Sequence, residues 1–153
     1  PQPGLLELEH ILPKAWQEFW SQEGGLDPEH INWRNWVKNT IGNLTLITKH
    51  LNINLSNRPW TDAEAQGLSV GGEAGKGKRT LLQEYSLLRL SKELVSDHPD
   101  VWDEAAIERR GALLTRRICE VWPGPPDAWE PGREASTGAA SMLREADGHK
   151  SAP

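Results

Sequence analysis

The sequence predicts a mixed α+β domain over residues 1–123, built on two short strands and a helix that follows the second strand. Residues 5–11 form a short apolar run with interleaved glutamates, the alternation that is typical of a strand. Residues 44–47 form a second β-like run, and residues 49–57 then carry apolar positions at helical spacing. A chain of 153 residues is long enough to bury a core of this kind.

Two helical segments are predicted between the strands. Pro13 ends the first strand because it lacks the N–H that a sheet ladder needs. Apolar residues within 15–20 then recur at helical spacing and predict a short helix. Asp27 and Pro28 form an N-cap and N1 pair that begins a second helix. We expect this helix to place four apolar side chains largely against the core, namely Ile31, Trp33, Trp36 and Val37.

The C-terminal half is predicted to be helical. The Gly-rich residues 62–77 predict a loop, and residues 79–95 predict a helix with a break near Ser86. Asp103 is the N-cap of a last, strongly periodic helix. Residues 124–153 have no periodic apolar face and predict a disordered tail.

Composition limits the class of protein. The formal net charge of −5 argues against a stand-alone DNA-binding protein, because tight non-specific binding needs several contacts between basic residues and phosphates. Residues 76–92 are an exception, with five basic residues against the single acid Glu84, and arginines cluster again within 109–117. No apolar stretch approaches a membrane span and no signal peptide is visible. The lone Cys119 offers neither a disulfide nor a Cys pair for zinc, so a cytoplasmic location is expected, with no membrane partner.

Three short motifs carry the chemistry, and they read Glu-His-Ile-Leu-Pro at 9–13, Ile-Gly-Asn-Leu-Thr-Leu at 41–46 and Leu-Asn-x-x-Leu-Ser-Asn at 51–57. An acid beside a His ends the first strand, an Asn opens the second, and another Asn follows nine residues later on the helix. A His can accept the proton of a water molecule near neutral pH. Carboxylate and amide oxygens are hard ligands that suit Mg²⁺ or Mn²⁺.

On these motifs the chain resembles the HNH nuclease superfamily. More narrowly, it is similar to the HNH-like domain at the C-terminal end of modification-dependent restriction enzymes of the GmrSD and SspE type, over roughly residues 5–123. The resemblance implies a ββα-metal core with additional helices and DNA as the substrate. It also implies an N-terminal ParB-like, nucleotide-hydrolysing domain in the same protein.

The resemblance implies a role for each motif residue. His10 would be the general base, and Glu9 would bind one divalent metal ion, Mg²⁺ or Mn²⁺. Asn43 would fix the loop of the ββα unit, and Asn52 would complete the metal site. Glu7 shares strand parity with Glu9 and is a reserve ligand.

The sequence leaves the roles of several other polar residues open. The resemblance implies that Lys78 approaches the site or the DNA backbone, with Arg79 beside it as a second phosphate contact. Asn57 is an alternative to Asn52, and His50 is a back-up ligand or phosphate contact. Arg110 is either a buried structural residue or a phosphate contact.

The expected function is therefore a metal-dependent HNH endonuclease that serves as the DNA-cleaving effector of a bacterial anti-phage restriction system. One metal site cuts one strand, so nicking is the default, and a double-strand break would need a dimer. The alternative is a catalytically silent DNA-docking or protein-interaction module with the same fold. A nuclease directed at RNA is a third interpretation, because metal-assisted hydrolysis does not depend on the sugar.

Overall fold

The computed structural model describes residues 5–21, 25–70 and 73–124. The strands are β1 (Leu6–His10), β2 (Leu44–Thr48), β3 (Ser69–Val70) and β4 (Glu73–Ala74). The helices are α1 (Pro28–Val37), α2 (Lys49–Leu55), α3 (Lys78–Tyr85), α4 (Arg89–Asp97) and α5 (Glu104–Val121). The mixed α+β class predicted from the sequence is confirmed, although β3 and β4 form a hairpin within the predicted loop.

The chain divides into two compact units, residues 1–118 and 119–153, and the contacts described below lie within the first. Of the predicted tail, residues 125–153 lie outside the described part of the chain. None of the helices in the described ranges combines the length and apolarity that crossing a lipid bilayer requires.

The first sheet and the helix after it form the ββα unit. β1 and β2 pair antiparallel, with Glu9 opposite Thr45. The Thr48 hydroxyl caps α2 by accepting a hydrogen bond from the Leu51 N–H, so the helix begins immediately after β2. Because no loop separates them, α2 folds back against both strands.

The two faces of this sheet differ in polarity and burial. Thr45 and Ile47 point inward and are buried, and Glu9 lies on the same face through its pairing with Thr45. The opposite face exposes three leucines, Leu6, Leu8 and Leu46. The strand alternation therefore turns the Glu9 carboxylate toward the interior of the protein.

The loop after β1 is held by Asn43, which is fully buried at the start of β2. Its Oδ1 accepts hydrogen bonds from the Leu12 N–H at 2.8 Å and the Trp102 Nε1–H at 3.1 Å. Its Nδ2 donates to the carbonyl oxygens of Leu12 at 2.9 Å and Lys38 at 2.7 Å. One side chain thus connects the β1 loop, the end of α1 and the segment before α5.

Helix α5 packs directly on the turn that contains Asn43. A Cβ on Gly42 would lie 2.0 Å from the carbonyl oxygen of Ile107, so only glycine permits this approach. Gly111 faces the same turn with ordinary spacing, because its Cβ would lie 3.6 Å from the Cα of Gly42. Arg110 donates from Nη1 to the carbonyl oxygens of Gly42 and Leu44, which bracket Asn43.

Three predicted helix boundaries are confirmed. Asp27 is the N-cap of α1 and accepts a hydrogen bond from the His30 N–H at 2.9 Å. The predicted break near Ser86 separates α3 from α4. Asp103 caps α5 by accepting a hydrogen bond from the Ala106 N–H at 2.8 Å.

The predicted helix within residues 15–20 is wrong, since this segment consists of turns. Both of its tryptophans are instead fixed by hydrogen bonds to distant parts of the chain. Trp16 donates from Nε1 to the Asn35 side chain at 3.1 Å, and Trp20 donates to the Arg58 carbonyl at 3.0 Å. Their apolar spacing reflects these separate anchoring points and not a helical face.

The predicted inward face of α1 is wrong at two positions. Trp33 and Trp36 are 40% and 60% exposed, and their rings stack on each other at 5.0 Å. Val37 is buried as predicted, and the helix also buries Arg34, which was not predicted. Burial of the Arg34 guanidinium is tolerated because Glu104 at the start of α5 neutralises it.

We predict that Asn43→Ala destabilises the domain. The substitution leaves buried groups of Leu12, Lys38 and Trp102 without their partner. Each such loss costs about 1–3 kcal/mol, so the free energy of unfolding should fall by at least that amount in urea titration. Asn32→Ala, at an exposed position of α1, is the control and should change it by less than about 0.5 kcal/mol. Equal stability of the two variants would mean that Asn43 is only a turn residue.

Candidate active site

A cleft of about 260 Å³ opens where β1 ends. It is bounded by the end of β1, the loop that Asn43 fixes and the turn that follows α2. Its lining residues are Leu8, Glu9, His10, Pro13, Lys14, Ser56 and Asn57. The fold therefore brings the first and third sequence motifs together, while the second motif supports the loop between them.

His10, the predicted base, lines this cleft and is partly buried at the last position of β1. Burial lowers the pKa of the imidazole below its ordinary value, and the positive charge of Lys14 lowers it further. The carboxylate of Glu9 and a hydrogen bond with the Asn39 side chain oppose this shift. The imidazole is consequently neutral near pH 7, the state that can accept a proton.

Glu9 is bound by a lysine from the interior of the protein. Lys78, the first residue of α3, donates from Nζ to Glu9 Oε1 at 2.6 Å and to the His10 carbonyl oxygen at 3.0 Å. The Lys78 side chain is fully buried, whereas that of Glu9 is 12% exposed. Burial lowers the pKa of Lys78 and the adjacent Glu9 carboxylate opposes that shift.

This burial corrects the phosphate-binding interpretation of Lys78. Lys78 was expected to approach either the site or the DNA backbone. Its ammonium reaches the site from inside the protein and presents no surface to a DNA backbone. Its neighbour Arg79 is partly buried, and its Nε–H is buried without a partner among the described residues. Lys78 and Arg79 are therefore less accessible than the sequence suggests, whereas Arg89 and Lys92 in the same segment are exposed.

The third motif contributes Asn57 to the cleft and not Asn52. Asn52 does not line the cleft, and its Nδ2 donates to Glu7 Oε2 at 2.8 Å, the reserve carboxylate of β1. Asn57 lines the cleft and donates from Nδ2 to Glu18 Oε2 at 3.1 Å, which leaves its amide oxygen as the atom able to bind a metal. Of the two alternatives for the distal ligand, the cleft lining therefore favours Asn57 over Asn52.

Ser56 places Asn57 in this position. It ends α2 with φ +42° and ψ −138°, a backbone conformation that residues other than glycine rarely adopt. Its N–H donates to the Asn52 carbonyl oxygen at 3.1 Å, so the chain leaves the helix sharply. Strained conformations of this kind concentrate at functional sites.

Lys14 is a site residue that the sequence analysis missed. It is exposed, lines the cleft and follows the Glu-His-Ile-Leu-Pro motif directly. That adjacency is the signal that could have identified it. His50 is exposed on α2 and does not line the cleft, so its role as a back-up ligand has no support in this geometry.

Arg110 was expected to be either a buried structural residue or a phosphate contact, and its placement fits the structural role. Its side chain is buried and its Nη1 bonds the two carbonyl groups around Asn43. Burial lowers the pKa of Arg110 to about 10, with Glu93 opposing the shift. The guanidinium holds the Asn43 turn, and a phosphate-binding role does not fit this placement.

The donor set of the cleft fits a hard divalent cation with few protein ligands. Glu9 offers a carboxylate, Asn57 an amide oxygen and Ser56 a hydroxyl. No group of three or more His, Cys, Asp or Glu side chains among the described residues could hold a metal ion. Mg²⁺ commonly keeps several waters and uses one or two carboxylates together with substrate phosphates, so these oxygens suit it or Mn²⁺.

Comparison with known proteins gives one match. The family model described as GmrSD restriction endonucleases, C-terminal domain, matches residues 2–117. No curated protein and no solved structure matches the chain. The matched range includes all lining residues of the cleft and the buried Lys78 behind it. The chain therefore belongs to the family of C-terminal domains of GmrSD restriction endonucleases.

Proposed function

We propose that this domain is a metal-dependent HNH endonuclease that nicks DNA as the effector of a bacterial anti-phage restriction system. The observation that carries the proposal is a single cleft lined by His10, Glu9, Asn57 and the exposed Lys14. The family supplies the context, since its members are domains of restriction endonucleases.

In the proposed reaction, His10 takes the proton of a water molecule whose oxygen attacks the phosphorus atom. The bond between phosphorus and the leaving sugar oxygen then breaks. Glu9 and Asn57 would hold Mg²⁺ or Mn²⁺, which when bound supplies charge neutralisation at the phosphate and at the leaving oxygen. Lys14 at the cleft rim attracts the phosphate backbone, and Asn43 keeps the base in place through the loop after β1.

The proposal extends to the partners of the domain. A cleft with one base cuts one strand, so a double-strand break requires two copies of the domain. The exposed charges of the described residues include no obvious surface for reading bases, and we assign sensing of modified DNA to an N-terminal ParB-like, nucleotide-hydrolysing domain. Such a system would act in the cytoplasm.

A catalytically silent DNA-docking module is the second candidate. One observation favours it, namely that the Glu9 carboxylate already has a cationic partner in Lys78. The two candidates differ in a plasmid-nicking assay with Mg²⁺ or Mn²⁺, because a silent module binds DNA without converting supercoiled plasmid to the open circular form.

We predict that His10→Ala lowers plasmid nicking by about 10²–10⁴-fold, the usual loss when a general base is removed. Circular dichroism should show an unchanged fold, because the side chain lies at a strand end beside the cleft. His50→Ala is the matched control and should retain the wild-type rate. Wild-type nicking by folded His10→Ala protein would exclude this residue as the base.

We predict that Asn57→Ala impairs cleavage more than Asn52→Ala does. Only Asn57 lines the cleft, so its loss should raise the Mn²⁺ concentration needed for half-maximal nicking. Asn52→Ala removes the bond to Glu7 and should act mainly on stability, which thermal unfolding measures separately. A larger metal requirement in Asn52→Ala would restore Asn52 as the distal ligand.

We predict that Lys14→Ala weakens binding to all DNA sequences alike. Loss of one phosphate contact should lower the slope of log affinity against log salt by about 1. Lys92→Ala is the control, because Lys92 is an exposed lysine outside the cleft whose ammonium bonds the Gln83 carbonyl. The result that contradicts the assignment is the same change of slope in both variants.

A further inference from the structure

Lys78 is the charged group of the site that the proposed reaction does not use. Its ammonium is sealed in the interior and contacts two parts of the site, the Glu9 carboxylate and the His10 carbonyl oxygen. A fully buried lysine is costly unless its charge is paired. The Lys78 ammonium therefore fixes the position of the Glu9 carboxylate relative to the backbone of His10.

The same ammonium opposes a metal ion at Glu9. A cation bound to this carboxylate would lie a few ångströms from a buried positive charge that already compensates it. The other lysine at the cleft, Lys14, is also positive. Among the described residues that line the cleft Glu9 is the only acid, and Lys78 already pairs it.

A DNA phosphate would supply the missing negative charge. We propose that Lys78 is a positioning residue and internal counter-charge that makes cation binding at Glu9 depend on a bound phosphodiester. This inference rests on the proposed function, because it assumes that the metal ion binds at Glu9. It implies a domain that stays largely metal-free until DNA enters the cleft.

The proposal has a reciprocal consequence. If phosphodiester binding raises the affinity for the cation, the cation must raise the affinity for DNA by the same factor. A unit charge this close to a divalent ion changes affinity by on the order of tenfold, even with partial solvent screening. The coupling can therefore be measured from the DNA side without any cleavage.

The first experiment uses the full chain with His10→Ala, so that DNA is not cut. The Kd for a short labelled duplex is measured with and without Mn²⁺, and we expect about tenfold tighter binding with Mn²⁺. The matched control adds Glu9→Gln, which should abolish the gain and correct for effects of Mn²⁺ on the DNA itself. Equal Kd values with and without Mn²⁺ in the Glu9 protein would overturn the proposal.

The second experiment measures Mn²⁺ affinity without DNA by electron paramagnetic resonance. Lys78→Met should bind Mn²⁺ about tenfold more tightly than wild type, because the counter-charge is gone. Lys78→Arg keeps the charge and should remain close to wild type. Unchanged Mn²⁺ affinity in folded Lys78→Met would overturn the proposal, and Lys78→Gln, which also removes the charge, is measured in its place if Lys78→Met does not fold.

The two experiments also separate this inference from the proposed function. If Glu9→Gln leaves both Mn²⁺ binding and the gain in DNA affinity unchanged, the metal ion does not bind at Glu9 and both proposals fail. If Mn²⁺ binding requires Glu9 but responds neither to DNA nor to Lys78→Met, only the role of Lys78 fails.

Discussion

The hydrogen bonds of the Asn43 side chain are the constraint on which the rest of the site depends. An amide has two donors and an oxygen that accepts two bonds, and here all four bonds are made within the protein. Because the group is fully buried, each bond is worth more than at the surface and each loss leaves an unpaired polar atom. The loop after His10 consequently has one conformation, and the imidazole is presented at the cleft.

Helix α5 secures this constraint from the opposite side. The Gly42 contact lets the backbone of α5 reach the turn, and Arg110 then bonds the carbonyl groups on either side of Asn43. Trp102, just before α5, supplies the fourth bond to the amide. Helix α5 lines no part of the cleft but holds the turn that fixes the loop after His10, so substitutions in α5 would affect the cleft through that turn.

Several basic side chains of this domain are buried and bond within the protein. Their positions in the sequence therefore do not indicate where DNA would be contacted. Arg34 is neutralised by Glu104, Lys78 by Glu9, and Arg58 donates to the carbonyl groups of Asn54 and Lys76. Each joins segments that are distant in sequence. A cluster of basic residues in a chain that belongs to a nuclease family suggests DNA contacts, but several basic side chains of this domain hold the protein together instead.

The sequence by itself determined the strands β1 and β2, the capped starts of α1 and α5, the break at Ser86 and the residue types of the site, because alternation, caps and short motifs are local signals. Only the tertiary structure decided which side chains meet. The apolar spacing of residues 15–20 occurs in turns, where Trp16 and Trp20 bond to distant parts of the chain. Helix α1 leaves Trp33 and Trp36 exposed and buries Arg34 against Glu104. Asn57 and not Asn52 lines the cleft because Ser56 turns the chain after α2, and Lys78 points inward because Glu9 offers it a counter-charge from a strand 69 positions away.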